Sequence, residues 1–366
     1  MNMRRNKVLF VIYSIYGGGA EKQMQYILEY IDRNRFEPHL AVFHLSGKEK
    51  TVVPEDVNVY DLSTMLRPAS LFLVFKLMGL IRKVRPDIIL SFTWGVNIIS
   101  VLAALVTRVK IMISERITPS LDFKDYLFPR MRRIMIKIFY PKTEKIIANS
   151  FYAKRDLSEN FNVKAEKIEV IHNGIDAEKI NRLKDTYELG CGDYVLGCGD
   201  YVLACGSLNR RKNYDFLIEV MSGIKGFSLV ILGEGPLKAH LASKARSLGV
   251  NLILPGFAEN PYPYFKRAKL FALTSLYEGF PNVILEAMAI GVPVVAVDCP
   301  GGIRELIKNG ENGMIIRQDG MTEMAEVIKM IREEPEFARK LAKNALDKVS
   351  SLKVLLMVKK YESLIG

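Results

Sequence analysis

The chain has 366 residues, 49% of them hydrophobic and 25% charged, and carries a formal net charge of +12. That length exceeds one ordinary core and suits two domains, and the balance excludes a disordered or fibrous chain. The basic excess points to anionic partners, and half of it lies between Ala104 and Lys145, where ten Lys and Arg face four acids.

In chain order, Val8–Tyr13 reads as a buried strand, an apolar run too short for a secretory signal. The glycine run Tyr16-Gly17-Gly18-Gly19-Ala20-Glu21 follows it and opens a helix over Glu21–Ile31, with Met24, Ile27, Leu28 and Ile31 on one face. Further strands are expected at His39–Phe43, Ile88–Ser91, Ile111–Ser114 and Lys145–Asn149. No run reaches the roughly 18 apolar residues of a membrane span. The nearest, Val96 to Val106, holds Asn97 and Ser100 and is followed by Arg108 and Lys110. The pattern restarts with strands at Tyr201–Cys205, Ser228–Leu232, Asn251–Leu254, Leu270–Leu273 and Pro293–Val297, and a helix at Tyr214–Ile224. Such alternation implies two doubly wound parallel sheets. The join falls between Val170 and Gly190, where Asn173-Gly174 marks a turn.

Cys191, Cys198 and Cys205 are seven residues apart because Gly192–Cys198 is repeated as Gly199–Cys205, so the spacing reflects a tandem duplication and no metal site. The working strand belongs to the last copy. With Cys299, four cysteines in a chain without a signal segment suit a reducing, cytoplasmic setting.

Several strand-to-helix crossings carry chemistry. Gly17–Gly19 lets backbone amides approach a ligand at a helix N-terminus. Gly206-Ser207-Leu208-Asn209-Arg210-Arg211-Lys212 sits where a doubly wound sheet binds ligands, and its three cations could neutralise a diphosphate. The glycines of Gly233-Glu234-Gly235-Pro236 read as packing glycines. The most informative segment is Glu278-Gly-Phe-Pro-Asn-Val-Ile-Leu-Glu286. Pro281 fits the first helical turn, which leaves Glu278 in the loop before a helix and Glu286 more than a turn inside it. Amides near Phe280, Asn282 and Val283 then stand at a positive helix end. The loop carboxylate can hold sugar hydroxyls, the helix carboxylate ribose hydroxyls, and the amides phosphates.

Taken together with Ala148-Asn149-Ser150, Ile171-His-Asn-Gly-Ile-Asp176 and Gly291-Val-Pro-Val-Val295, these motifs resemble a retaining glycosyltransferase of GT-B fold, in glycosyltransferase family 4. The resemblance implies two Rossmann-like domains facing across a cleft. Residues 1–170 would bind the acceptor, residues 171–351 the nucleotide sugar, and a last helix over 352–366 would return to the first domain through Leu355, Leu356, Val358 and Tyr361. It implies transfer of a hexose or N-acetylhexosamine, with UDP as the expected nucleotide, to a glycan or polyprenyl-linked acceptor with an α-linkage. The alternatives are a nucleotide-sugar epimerase and an inactive partner subunit. Lys212, Arg210, Arg211 and Glu278 take the catalytic roles. Gly18, Gly19, Gly206, Phe257, Phe280, Asn282, Val283 and Glu286 line the donor and acceptor sites. No metal or cofactor is expected.

Two positions depart from the family pattern. Ser207 stands where many members carry Arg, so Arg210 or Arg211 would supply that charge. None of His39, His44, His172 and His240 falls in the first-domain loop where many members place a histidine. Ser114-Glu115-Arg116 occupies that region, with Glu115 as the candidate. Residues 130–139 alternate Arg130, Arg132, Arg133 and Lys137 with Met131, Ile134, Met135, Ile138 and Phe139, a basic amphipathic helix suited to the inner face of an anionic membrane. Nucleic-acid binding is not expected, because no recognition motif accompanies the charge.

Overall fold

The computed structural model describes residues 4–45, 47, 52–63, 69–123, 128–186 and 200–366. The earlier copies of the tandem repeat, with Cys191 and Cys198, and Lys124 and Asp125 of the basic segment lie outside the described residues.

The chain divides into two compact units, Met1–Gly174 with Val354–Gly366, and Ile175–Lys353. In unit 1 seven strands, β1 (Asn6–Ile12), β2 (Phe36–Val42), β3 (Asn58–Asp61), β4 (Ile88–Phe92), β5 (Lys110–Glu115), β6 (Lys145–Ala148) and β7 (Ile168–Val170), form one sheet in the order β3-β2-β1-β4-β5-β6-β7. In unit 2, β8 (Tyr201–Cys205), β9 (Ser228–Leu232), β10 (Leu252–Gly256), β11 (Leu270–Leu273), β12 (Val294–Val297) and β13 (Met314–Ile316) run in the order β10-β9-β8-β11-β12-β13. Every neighbouring pair is parallel. In each sheet the first strand is central and the chain reverses direction beside it, so each unit has a switch point.

Both faces of each sheet are covered, which is why the inner strands are near-continuous apolar runs. Leu9, Val11, Ile89, Ile111 and Ile113 enter one core of unit 1, and Val8, Phe10, Ile12, Leu90 and Met112 the other. Unit 2 repeats the alternation, with Leu203, Val230 and Phe271 on one side and Val202, Leu229 and Leu270 on the other.

The helices include α1 (Gly19–Tyr30), α2 (Trp94–Thr107), α3 (Pro129–Phe139), α4 (Tyr214–Ser222), α5 (Asn282–Ile290) and α6 (Val354–Ile365). The chain returns from unit 2 to lay α6 on unit 1, where Val354, Met357, Val358, Tyr361 and Ile365 complete the core beside α1. Val358 and Tyr361 are buried as expected. Leu355 and Leu356, also expected to make this contact, are instead half-exposed, because they lie off the stripe through Val354, Met357, Val358, Tyr361 and Ile365 that faces the core.

Met357→Ala should cost about 3 kcal/mol by emptying a packed site, read as a lower urea midpoint. Leu355→Ala on the same helix should change stability by less than about 0.5 kcal/mol. Equal effects would contradict this placement of the helix.

Candidate active site

In unit 2 the switch point lies between β8 and β11, and the loops that leave the carboxyl ends of these strands are bonded to each other. Leu276 donates its amide to the Arg211 carbonyl at 2.8 Å, and the Thr274 hydroxyl donates to the Lys212 carbonyl at 2.9 Å. Between them lies a buried charge cluster. The Glu278 carboxylate, 6% exposed, accepts from Lys212 Nζ at 2.7 Å, Arg211 at 3.0 Å and the Ser275 hydroxyl at 2.7 Å.

Local sequence explains how Lys212 reaches this place. Gly206 ends β8 with φ at +144°, and a Cβ there would come within 2.6 Å of Lys212 Cε. Only glycine lets the lysine chain lie across that turn. Asn209 caps the short 3₁₀ turn Arg210–Lys212 by accepting from the Lys212 amide at 3.3 Å. The Tyr214 hydroxyl, at the start of α4, donates to the Gly206 carbonyl at 3.2 Å.

A second glycine fixes the carboxylate's backbone. Gly301, in the loop after β12, has φ at +133°, and a Cβ there would strike the Glu278 backbone. Glu278 donates its amide to the Pro300 carbonyl at 3.0 Å, and Gly302 donates to the Gly279 carbonyl at 2.7 Å.

Burial alone would raise the Glu278 carboxyl. The charges of Lys212 and Arg211, with hydrogen bonds from Lys212 and Ser275, outweigh it and hold the group at about 2. Two cations on one carboxylate leave one positive charge in excess beside the N-terminus of α5. That helix begins at Asn282 with Pro281 as its N-cap, one residue before the position in the first turn that Pro281 was expected to take.

The other expected residues fall as follows. Phe280 is buried, Asn282 and Val283 open α5, and Glu286 is buried one turn along it among Ile284, Leu285, Ala287 and Met288. Phe257 follows β10, separated from β8 by β9, and is 49% exposed. Arg210 is exposed and does not join the cluster, so Arg211 is the cation beside Lys212. Gly233 and Gly235 serve packing: a Cβ on either would strike the backbone of Gly206 or Leu208. Ser275 and Thr274 are not marked by anything in the spacing of the sequence.

In unit 1, Gly18 caps α1 and Gly19 begins it, both exposed. A Cβ on Gly18 would strike the Glu21 carboxylate, which folds back over the helix start to meet the amides of Ala20 and Glu21. Burial raises the Glu21 carboxyl against those hydrogen bonds and the Arg116 charge.

Glu115 does not face outward from this end of the sheet. It is fully buried and accepts from the Tyr140 hydroxyl at 2.6 Å, and burial pushes its carboxyl up to about 7. Asn97, from α2, donates to that hydroxyl at 3.3 Å and accepts from Ser91 at 2.8 Å. The residue after it, Arg116, occupies the strand end instead.

Comparison with known proteins follows this architecture. The model described as Glycosyltransferase Family 4 matches residues 17–179, and the one described as Glycosyl transferases group 1 matches residues 199–348. A Campylobacter jejuni protein, N-acetylgalactosamine-N,N'-diacetylbacillosaminyl-diphospho-undecaprenol 4-alpha-N-acetylgalactosaminyltransferase, is 31% identical over 96% of this chain and 99% of its own. Anabaena HepE, solved in complex with UDP and glucose, superposes with a TM-score of 0.83 at 22% identity over 99% of both chains. Sucrose-phosphate synthase from Thermosynechococcus elongatus gives a TM-score of 0.81 at 17% identity over 98% of both. Two parallel-sheet Rossmann-like units of this kind define the GT-B class of glycosyltransferase. The chain belongs to glycosyltransferase family 4 and is a glycosyltransferase.

The depressed carboxyl of Glu278 makes a pH prediction. A group held below its ordinary value of 4.5 contributes stability above that pH and loses it as the pH falls through about 2. Relative to Glu278→Gln, the wild type should lose on the order of 3 kcal/mol between about pH 5 and pH 2, measured by urea denaturation across that range. Parallel pH profiles for the two proteins would contradict the assignment.

Proposed function

We propose that this chain is a retaining transferase that moves a hexose or N-acetylhexosamine from a UDP-sugar to a lipid-linked glycan, forming an α-linkage. The observation that carries the donor half is the buried Lys212–Glu278–Arg211 cluster at the switch point, one positive charge in excess beside the start of α5. Cleavage of the donor adds a further negative charge to a diphosphate that already carries two, and preorganised cations lower that barrier by stabilising the charge as it develops. Lys212 and Arg211 hold the diphosphate, with the first-turn amide of Val283 and the dipole of α5 behind them. Glu278 then turns toward the sugar hydroxyls, and Glu286 holds the ribose. Asn282 and Phe280 shape the turn between them, and Phe257 lies beside the base. With the leaving group served by these groups, the reading is of a metal-independent enzyme.

The acceptor half is supported by the C. jejuni relative, whose name specifies a diphospho-undecaprenol acceptor. UDP is supported by the ligand of the HepE structure. Among the described residues no helix is long and apolar enough to cross a membrane. Contact with a lipid surface would instead use α3. Its outer face carries Phe128, Met131, Ile134 and Ile138, each about half exposed or more, interleaved with Arg130 and Lys137. Arg132 and Arg133, expected on that face, are turned inward, Arg132 over the Trp94 ring at 4.3 Å and Arg133 over Phe161 at 5.2 Å. An anionic leaflet would therefore meet two cations and four apolar side chains, a peripheral contact.

Lys212→Ala should lower kcat for UDP-sugar transfer by roughly a hundredfold or more, with the anomeric configuration of the product read by NMR. Unchanged turnover would rule out the diphosphate role, and a β-linked product would rule out retention. Met131→Glu with Ile134→Glu should reduce flotation with phosphatidylglycerol vesicles more than tenfold, since each side chain would forfeit about 1.5 kcal/mol or more of burial. Flotation equal to that of the wild type would remove α3 as the contact.

A further inference from the structure

The carboxyl end of the unit 1 sheet holds a second polar constellation, centred on Arg116. Its guanidinium donates to the Tyr361 hydroxyl at 3.2 Å, to Ser114 Oγ at 3.4 Å and to Asn173 Oδ1, and lies 5.0 Å from the Phe92 ring centre. These partners come from β5, from the loop after β7, from β4 and from α6. Four elements thus lock one half-buried side chain, and all four contacts are electrically neutral.

No carboxylate among the described residues lies within ion-pair distance of it. Glu21 is the acid that acts on it from farther off, but that carboxylate is engaged by the amides at the start of α1. Arginine cannot shed its proton to escape burial, so a half-buried guanidinium without a counter-ion is costly unless a ligand supplies one. Nε of Arg116 is buried without a partner, and so are Thr118 Oγ1 and Asn149 Oδ1. Thr118 follows two residues along the same loop, and the Asn149 amide donates to the Arg116 carbonyl at 2.8 Å. Three of the five such side-chain atoms among the described residues therefore gather at this strand end. Buried polar atoms in folded proteins ordinarily have a partner, whether protein, ordered water or a bound ligand.

We infer that Arg116 is the seat of the acceptor's phosphate. The planar fork of the guanidinium takes phosphoryl oxygens in pairs, and it keeps Nε and one further N–H for them. The Thr118 hydroxyl donates beside it, and Asn149 Oδ1 accepts from the first sugar hydroxyl. This rests on the reading of a lipid-linked acceptor, and it gives Arg116 a recognition role separate from the chemistry at Lys212 and Glu278.

The test uses the full chain with two acceptors that share one glycan, the first on a short polyprenyl diphosphate and the second on a neutral alkyl group. Arg116→Gln should raise KM for the diphosphate acceptor by roughly thirtyfold, the size of a lost hydrogen bond to a charged group. KM for the neutral acceptor and donor hydrolysis without acceptor should stay within about twofold, and Arg116→Lys should recover part of the loss. Inorganic pyrophosphate should compete with the diphosphate acceptor in the wild type and lose that competition in Arg116→Gln. Equal losses on both acceptors, or a fall in acceptor-free hydrolysis, would make Arg116 structural or catalytic and overturn the inference. So would a wild type that uses both acceptors with one KM. A wild type that transfers to neither would overturn the lipid-linked reading first, and this one with it.

Discussion

A buried carboxylate between two cations is the constraint on which the switch-point end of unit 2 depends. Glu278 can be buried because Lys212 and Arg211 compensate it, and Lys212 can reach it because Gly206 leaves room for its chain. Breaking either partner would strand a charge in low dielectric, which costs far more than the pair itself contributes to stability. The same arithmetic makes the cluster responsive. On the proposed donor role, a diphosphate arriving beside it would offer Lys212 and Arg211 new acceptors and free Glu278 for hydroxyl groups, so the resting ion pair would be exchanged rather than simply opened.

The two units use one topology for different chemistry. Each has a central first strand, a switch point beside it and a glycine turn leaving it. In unit 2 the cations come from the loop after the first strand and the acid from the loop after the fourth. In unit 1 the acid, Glu21, follows the first strand and the cation, Arg116, the fifth. The unit 2 charges pair at bonding distance, whereas those in unit 1 do not. Of the two, the second is the less satisfied arrangement as it stands.

Most of this architecture was legible in the sequence because parallel strands buried on both faces are continuous apolar runs. The strands not anticipated, Asn58–Asp61, Ile168–Val170 and Met314–Ile316, are all at sheet edges. An edge strand pairs on one side only and can be short and polar, so Asn58-Val-Tyr-Asp61 looks like loop. At the site, residue spacing located Lys212 and Glu278 but could not say whether Arg210 or Arg211 points inward, because that depends on the 3₁₀ turn that Asn209 caps. Glu115 and Arg116 are adjacent and thus face opposite ways from a strand end. Choosing between them required Tyr140, whose hydroxyl claims the acid from a distant helix end. Leu355 and Leu356 are apolar but fall off the stripe of Val354, Met357, Val358, Tyr361 and Ile365 that the 3.6-residue period buries, so residue type alone does not place them.

One topological feature bears on how the molecule is made. Unit 1 is discontinuous, since α6 supplies Tyr361 and Met357 to a core whose strands all precede residue 171. On the ribosome, the nascent first unit must wait for the whole of unit 2 to emerge before its last helix exists. Its apolar surface near α1 stays uncovered during that interval, an opportunity for chaperones or for misassociation. Unit 2, continuous in sequence, can finish folding while its predecessor is still incomplete, so maturation of the enzyme runs from the middle of the chain outward.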